Sequence, residues 1–122
     1  MKNILICDHE QLFRSSLKKT FEREGFSVYE TSRFVEVIKY VLNEKFHVIV
    51  FNFNANNIES IQTFEAIRMI DKDIPVIIIA ERGELSSSLS FVINDAFRFF
   101  MKPVVCEEIK CAVYEAIRAK QK

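Results

Sequence analysis

The side chains best suited to chemistry cluster in four short places: Asp8-His9-Glu10, Asn52 with Asn54 and Asn56, Ala80-Glu81, and Lys102. Lys102 is the sharpest of them. A lysine that enters a pocket between strand ends requires an anionic partner, because burying a lone charge is expensive. Asp8 is the expected partner, in an ion pair that holds the domain in one conformational state. His9 offers an imidazole for a metal or for a proton near neutral pH. Asn52 offers a carboxamide, a poor nucleophile at neutral pH without an activating neighbour. Each also has a plain structural role. Asp8 precedes a helix, where capping and the helix dipole favour a carboxylate by roughly 0.3–1 kcal/mol. His9 reads as a surface loop residue, and Asn52 and Asn54 can simply bond loop amides.

These positions share one feature, which is that each follows an apolar run. Ile4–Cys7, His47–Phe53 and Pro75–Ala80 are continuous apolar stretches, the mark of parallel strands covered on both faces. Phe26–Glu30 alternates like a less buried strand, and Phe97–Met101 reads as a fifth. Helical spacing fills the gaps. Phe13, Leu17 and Phe21 share a face within Gln11–Glu24, with Gly25 as its stop. Phe34, Val37, Ile38, Val41 and Leu42 form the stripe of a helix over Arg33–Glu44. Ile61, Phe64, Ile67 and Ile70 define a third helix, and Ser86–Ile93 a short fourth. The last runs from about Val104, immediately after Pro103, with Val105, Ile109, Ala112, Val113, Ala116 and Ile117 on one face.

Strand–helix units repeated in this way predict an α/β fold, a doubly wound parallel sheet with helices on both faces. Ligand sites in such sheets form where strands end and the topology reverses, so the loops carrying Asp8, Asn52, Ala80 and Lys102 should meet. A chain of 122 residues makes one domain, expected over 1–122 with no effector domain attached. Seventeen basic residues balance seventeen acidic ones. That gives no electrostatic footprint for nucleic acid or an anionic membrane. No apolar run is long enough to span a bilayer and no signal-peptide layout opens the chain, so a cytoplasmic location is the default. Cys7, Cys106 and Cys111 match no zinc or disulfide spacing and read as reduced thiols.

Ile4-Leu-Ile-Cys-Asp-His-Glu10, His47-Val-Ile-Val-Phe-Asn-Phe-Asn54 and Phe99-Phe-Met-Lys-Pro103 together resemble the receiver domain of two-component response regulators, over essentially the whole chain. The resemblance implies a flavodoxin-like, receiver-type sheet of order 2-1-3-4-5. It also implies a pocket in which two carboxylates after strand one and an acceptor aspartate after strand three hold magnesium. A hydroxyl after strand four and a lysine after strand five bind the transferred phosphoryl oxygens. Here Asp8 keeps the first acidic position and Lys102, followed by Pro103, keeps the lysine. His9 replaces the second carboxylate, Asn52 the nucleophile and Ala80 the hydroxyl. The spacings hold, 102−80 = 22 and 52−9 = 43, so misalignment does not account for the losses. Phe99 fits the family's switch aromatic. The loop after strand three, Ala55-Asn-Asn-Ile-Glu-Ser60, lacks the usual proline and glycine.

The expectation is a pseudo-receiver: no aspartyl phosphorylation, magnesium binding weak or absent, no cofactor and no catalytic residue. The resemblance implies work by protein–protein contact through the fourth helix, fifth strand and fifth helix, with a homodimer as one form. Phe97, Phe99 and Met101 are expected on one face of strand five and Arg98, Phe100 and Lys102 on the other, beside a helix rich in serine (Ser86, Ser87, Ser88, Ser90). Two other readings stand beside it. One keeps phosphotransfer through an unusual acceptor such as His9. The other is a flavodoxin-like cofactor carrier, for which the acidic turn Asp8-His-Glu-Gln-Leu12 is a poor phosphate loop.

Overall fold

The computed structural model describes residues 2–54, 56–81 and 87–120, without the side chains of 87–89 and 91. The elements alternate as β1 (Asn3–Cys7), α1 (Gln11–Arg23), β2 (Ser27–Thr31), α2 (Phe34–Asn43), β3 (Val48–Phe53), α3 (Ile58–Ile70), β4 (Val76–Ala80), α4 (Ser87–Asp95), β5 (Arg98–Met101) and α5 (Cys106–Lys120). All strand pairs are parallel and the sheet order is β2-β1-β3-β4-β5. The number of strands, the sheet order and the alternation of strands with helices agree with the sequence reading.

The two-residue period of a strand divides the core in two. Leu5, Cys7, Ile49, Phe51, Phe53, Val76, Ile78 and Ala80 face α2 and α3, where Val37, Val41, Phe64 and Ile67 cover them. Ile4, Ile6, Val48, Val50, Ile77 and Ile79 face α1 and α5, under Leu17, Phe21, Ile109, Val113 and Ala116. Every residue of β3 and β4 is buried, as the unbroken apolar runs require.

Gly25 ends α1 as expected. Its φ of 90° is the left-handed conformation glycine adopts without a Cβ penalty. Phe26 N–H donates to Phe21 O at 3.0 Å and Gly25 N–H to Glu22 O at 3.1 Å, the paired bonds of a Schellman stop. Phe26 belongs to this turn, so β2 begins at Ser27 instead, and the buried Phe26 ring meets Phe21 edge-on at 5.4 Å.

Three further expectations are corrected. Val104 and Val105 stand between Pro103 and α5, which starts at Cys106; the first amide bond of its opening turn is Glu108 N–H to Val105 O, and Glu107 and Glu108 complement the dipole there. The Lys102–Pro103 peptide is cis. Strand alternation does not reach Phe97, because β5 begins at Arg98: Phe97 packs with Phe100 toward α1 and α5, whereas Phe99 packs toward α2 and α3. Leu42, expected in the buried stripe of α2, is 64% exposed. Ser86 and the side chains of Ser87 and Ser88 lie outside what the structure describes, and α4 begins at Ser87; Ser90 is exposed.

Phe21 is fully buried at the centre of the α1/α5 core. Phe21→Ala is expected to cost about 3–5 kcal/mol through lost transfer energy and the cavity left behind. Urea unfolding checks it, with a lower midpoint at an unchanged slope.

Candidate functional site

The carboxyl ends of β1, β3, β4 and β5 converge on Lys102. Its backbone N–H donates to Ala80 O at 2.9 Å, which seats the residue beside the end of β4. The ammonium then reaches back to β1: it donates to Glu10 Oε1 at 2.8 Å and Asp8 Oδ1 at 3.3 Å, with Glu81 Oε1 3.4 Å away. Beneath it lies the Phe13 ring, 4.8 Å from centroid to Nζ. Lys102 is 11% exposed and Asp8 1%. The expected Asp8–Lys102 pair is therefore present, enlarged by two carboxylates the sequence reading left unassigned. Both Glu10 and Glu81 sit in loops already placed at this edge, so counting every carboxylate against the lysine charge would have found them.

Asp8 does not cap α1. Glu10 occupies the N-cap position without a side-chain cap bond, and Asp8 Oδ1 instead accepts Glu10 N–H at 2.8 Å. Arg14 braces this turn from α1, donating to Asp8 O at 2.8 Å while its Nε bonds Glu30 Oε1 at 2.8 Å on β2. Asp8 Oδ2 is buried and has no hydrogen-bond partner among the described residues. Burial accordingly raises the Asp8 pKa, against the lowering effects of the Glu10 amide and Lys102. Lys102 responds differently: burial acts to lower its pKa, but the bond to Glu10 and the charges of Asp8 and Glu81 raise it on balance. One ammonium has several carboxylates, whereas Asp8 has one buried cation and an orphaned oxygen. The bond to Lys102 lowers the pKa of the half-exposed Glu10.

Asn52 is 5% exposed at the end of β3. Its Nδ2 donates to Ile79 O at 3.3 Å and toward Glu81 Oε1 at 3.4 Å, and its Oδ1 lies 3.1 Å from His9 Nδ1. An amide oxygen only accepts, so that contact requires the proton on His9 Nδ1. Asn52 thus ties three strand ends together rather than bonding loop amides. Asn54 does have the loop role: its Oδ1 accepts Asn56 N–H at 2.9 Å, and its own N–H donates to Ser60 Oγ at 3.0 Å. Asn57, missed in the sequence, caps α3 by accepting Glu59 N–H at 2.9 Å. Ala55 lies outside the described residues. His9 is two-thirds exposed, its Nε2 3.7 Å from Glu81. Ala80 is fully buried.

A family model described as "Response regulator receiver domain" matches residues 4–114. This chain is a receiver domain of that family. Sporulation initiation phosphotransferase F of Bacillus subtilis (strain 168) is 25% identical over 119 residues, covering 98% of this chain and 96% of that protein. The transcriptional regulatory protein SrrA of Staphylococcus aureus (strain NCTC 8325 / PS 47) is 26% identical over 97% of this chain, which spans 48% of that relative's length. Among solved structures, a CheY-like response regulator receiver domain protein from Methanospirillum hungatei JF-1 has the same fold, with a TM-score of 0.87 at 24% identity over 99% of this chain and 97% of that one. The receiver match places the chain in two-component signalling and sets aside the flavodoxin-like cofactor carrier.

In a receiver the hollow beside Asp8 is where a hard cation would sit. Here a cavity of about 320 Å³ is lined by Asp8, His9, Asn52 and Asn54, with Cys7 at its wall. The donors fit magnesium poorly. Asp8 is a single carboxylate with its Oδ1 already bonded, the Asn52 oxygen is taken by His9, and imidazole prefers softer ions. Among the described residues no three His, Cys, Asp or Glu side chains group as a metal site. Burial pushes the Cys7 thiol up to about 12, so it supplies no thiolate.

Asp8 holds a proton more readily in the folded chain than in the unfolded one. Its contribution therefore favours folding below the ordinary carboxylate range and is lost as pH rises through its raised value. Asp8→Asn is expected to stabilise the receiver at pH 7, because burial disfavours the Asp8 carboxylate and Lys102 keeps Glu10 and Glu81 as partners. The gain should vanish near pH 3.5, below the usual Asp value of about 3.9. Urea midpoints at the two pH values decide it, and a loss of stability at pH 7 would show that the Lys102 pair outweighs desolvation.

Proposed function

We propose that this receiver is a signalling module that does not accept a phosphoryl group and acts by protein–protein contact. The observation that carries the reading is the state of Asn52. Its amide stands at the end of β3 with both polar atoms engaged, by His9 on one side and by Ile79 O and Glu81 on the other. An amide offers no lone pair comparable to a carboxylate's, and none of these neighbours activates it. Lys102, the one residue left to grip phosphoryl oxygens, is already held by Asp8, Glu10 and Glu81. Buried Ala80 supplies no hydroxyl to report occupancy. The pocket on this reading is held permanently in one state by its own carboxylates, with magnesium binding weak or absent and no enzymatic turnover.

The partner face in this reading is α4–β5–α5. β5 is the sheet edge, with Arg98 and Met101 exposed. Arg98 lies over the Phe97 ring at 5.0 Å and pairs with Glu115 of α5, so strand and helix present one joined surface. A protein effector fits it better than nucleic acid, since the chain has no net positive charge. Among the described residues no helix is long and apolar enough to cross a membrane, and a cytoplasmic site of action accords with that. The relative named as a phosphotransferase motivates one rival, phosphotransfer through His9, whose ring is two-thirds exposed.

An amide-resolved NMR titration with magnesium and beryllofluoride, a phosphoryl mimic, separates the two. The native chain is expected to stay silent at Lys102 and Phe99, while a His9→Asp/Asn52→Asp/Ala80→Thr variant shifts at both. A response in the native chain would overturn the reading, and phosphoryl transfer to His9 from a small phosphodonor would establish the rival.

A further inference from the structure

The outer face of α2 and α3 carries apolar side chains that nothing among the described residues covers. Val35 and Leu42, two turns apart on α2, are 52% and 64% exposed; Ile58 and Met69, three turns apart on α3, are 63% and 87% exposed. One charged residue interrupts each stripe. Lys39 lies between Val35 and Leu42 on α2, and Glu65 lies between Ile58 and Met69 on α3. Both are exposed. Among the described residues neither takes part in an ion pair.

The two stripes lie at matching heights. Both helices return from the carboxyl edge of a parallel sheet, so they run in the same direction. A hollow of about 210 Å³ between them is shared by Val35 and Ile38 with Glu59, Gln62 and Ala66, and a larger one of about 510 Å³ further down by Leu42 with Ile70, where Glu44, Lys45 and Asp71 also line it. Lys39 therefore stands level with Glu65, and Leu42 with Met69. Apolar–positive–apolar on one helix lies beside apolar–negative–apolar on the next.

We infer that this face is an interface with a second copy of the same chain. A two-fold axis running along the groove lays α2 of one copy over α3 of the other. Lys39 then meets Glu65 of the second copy twice, Leu42 meets Met69, and Val35 meets the Ile58 turn. An isologous interface requires a surface complementary to itself, and the Lys39 and Glu65 charges are complementary under that rotation. Zero net charge leaves no overall repulsion between copies. The inference is independent of the phosphoryl pocket and of the α4–β5–α5 face.

Sedimentation equilibrium of the full chain tests it. A concentration-dependent dimer is expected, with Lys39→Glu or Glu65→Lys each weakening it by about tenfold or more. The Lys39→Glu/Glu65→Lys double reversal should recover the native affinity to within about threefold, because the charges pair again. Leu42→Asp should leave monomer, with far-UV dichroism confirming that each variant folds. A native chain that stays monomeric overturns the inference, and so does a dimer insensitive to the single reversals. A dimer dissolved by Arg98→Glu instead would place self-association on α4–β5–α5 and overturn it equally.

Discussion

One buried ammonium organises the functional edge of this domain. Lys102 is drawn out of water by its place between the ends of β4 and β1, and the cost of that burial must be met by anions within reach. Asp8, Glu10 and Glu81 meet it from two different strand ends, while Phe13 seals the underside. The loops after β1 and β4 are thereby tied to β5. Arg14, bonded to both Asp8 O and Glu30, extends the tie to β2. Glu81 serves Lys102, Asn52 and His9 together, so a disturbance at any of the three is felt by the others.

The strength of this arrangement is uneven. The Lys102–Asp8 contact is desolvated on both sides, and for Asp8 the desolvation dominates. Glu10 and Glu81 are partly in water, so their attraction is screened and each is worth less than its distance alone suggests. The pocket gains specificity rather than bulk stability from its charges. The energy of the fold comes from the β3 and β4 runs packed under helices on both faces. That division lets the polar edge change composition without loss of the sheet beneath it.

Much of this was legible in the sequence because the relevant signals are local. Continuous apolar runs mean doubly covered strands, and helical spacing between them means crossovers, so sheet and topology followed. Asp8 and Lys102, 94 residues apart, pair on a different ground, the cost of burying a lone ammonium where strand ends meet. What escaped were features set by the exact ends of elements. Phe97 falls one residue outside β5, and alternation has no force there. The start of α5 depends on where the chain re-enters helical geometry after Pro103, which the apolar pattern of Val104 and Val105 conceals. The bonding role of Asn52 stayed open in the sequence because a loop-bonding asparagine and one that ties strand ends look identical until the partners, Ile79 and His9, are in place.

The exposed Leu42 makes a related point about amphipathic helices. Its spacing from Val37, Ile38 and Val41 fits a core stripe, yet a helix flanked by another on the same sheet face has two apolar directions, one toward the sheet and one toward its neighbour. Val37 and Val41 take the first and are buried. Leu42 lies on the second, where the groove opens to solvent beside Ile70. A widened stripe on α2 matched by exposed apolar residues on α3 is therefore a property of the pair rather than a flaw in either helix. The charges within the two stripes, of opposite sign and equal height, are what turn that surface from a patch of chance hydrophobicity into one with a defined orientation for whatever covers it.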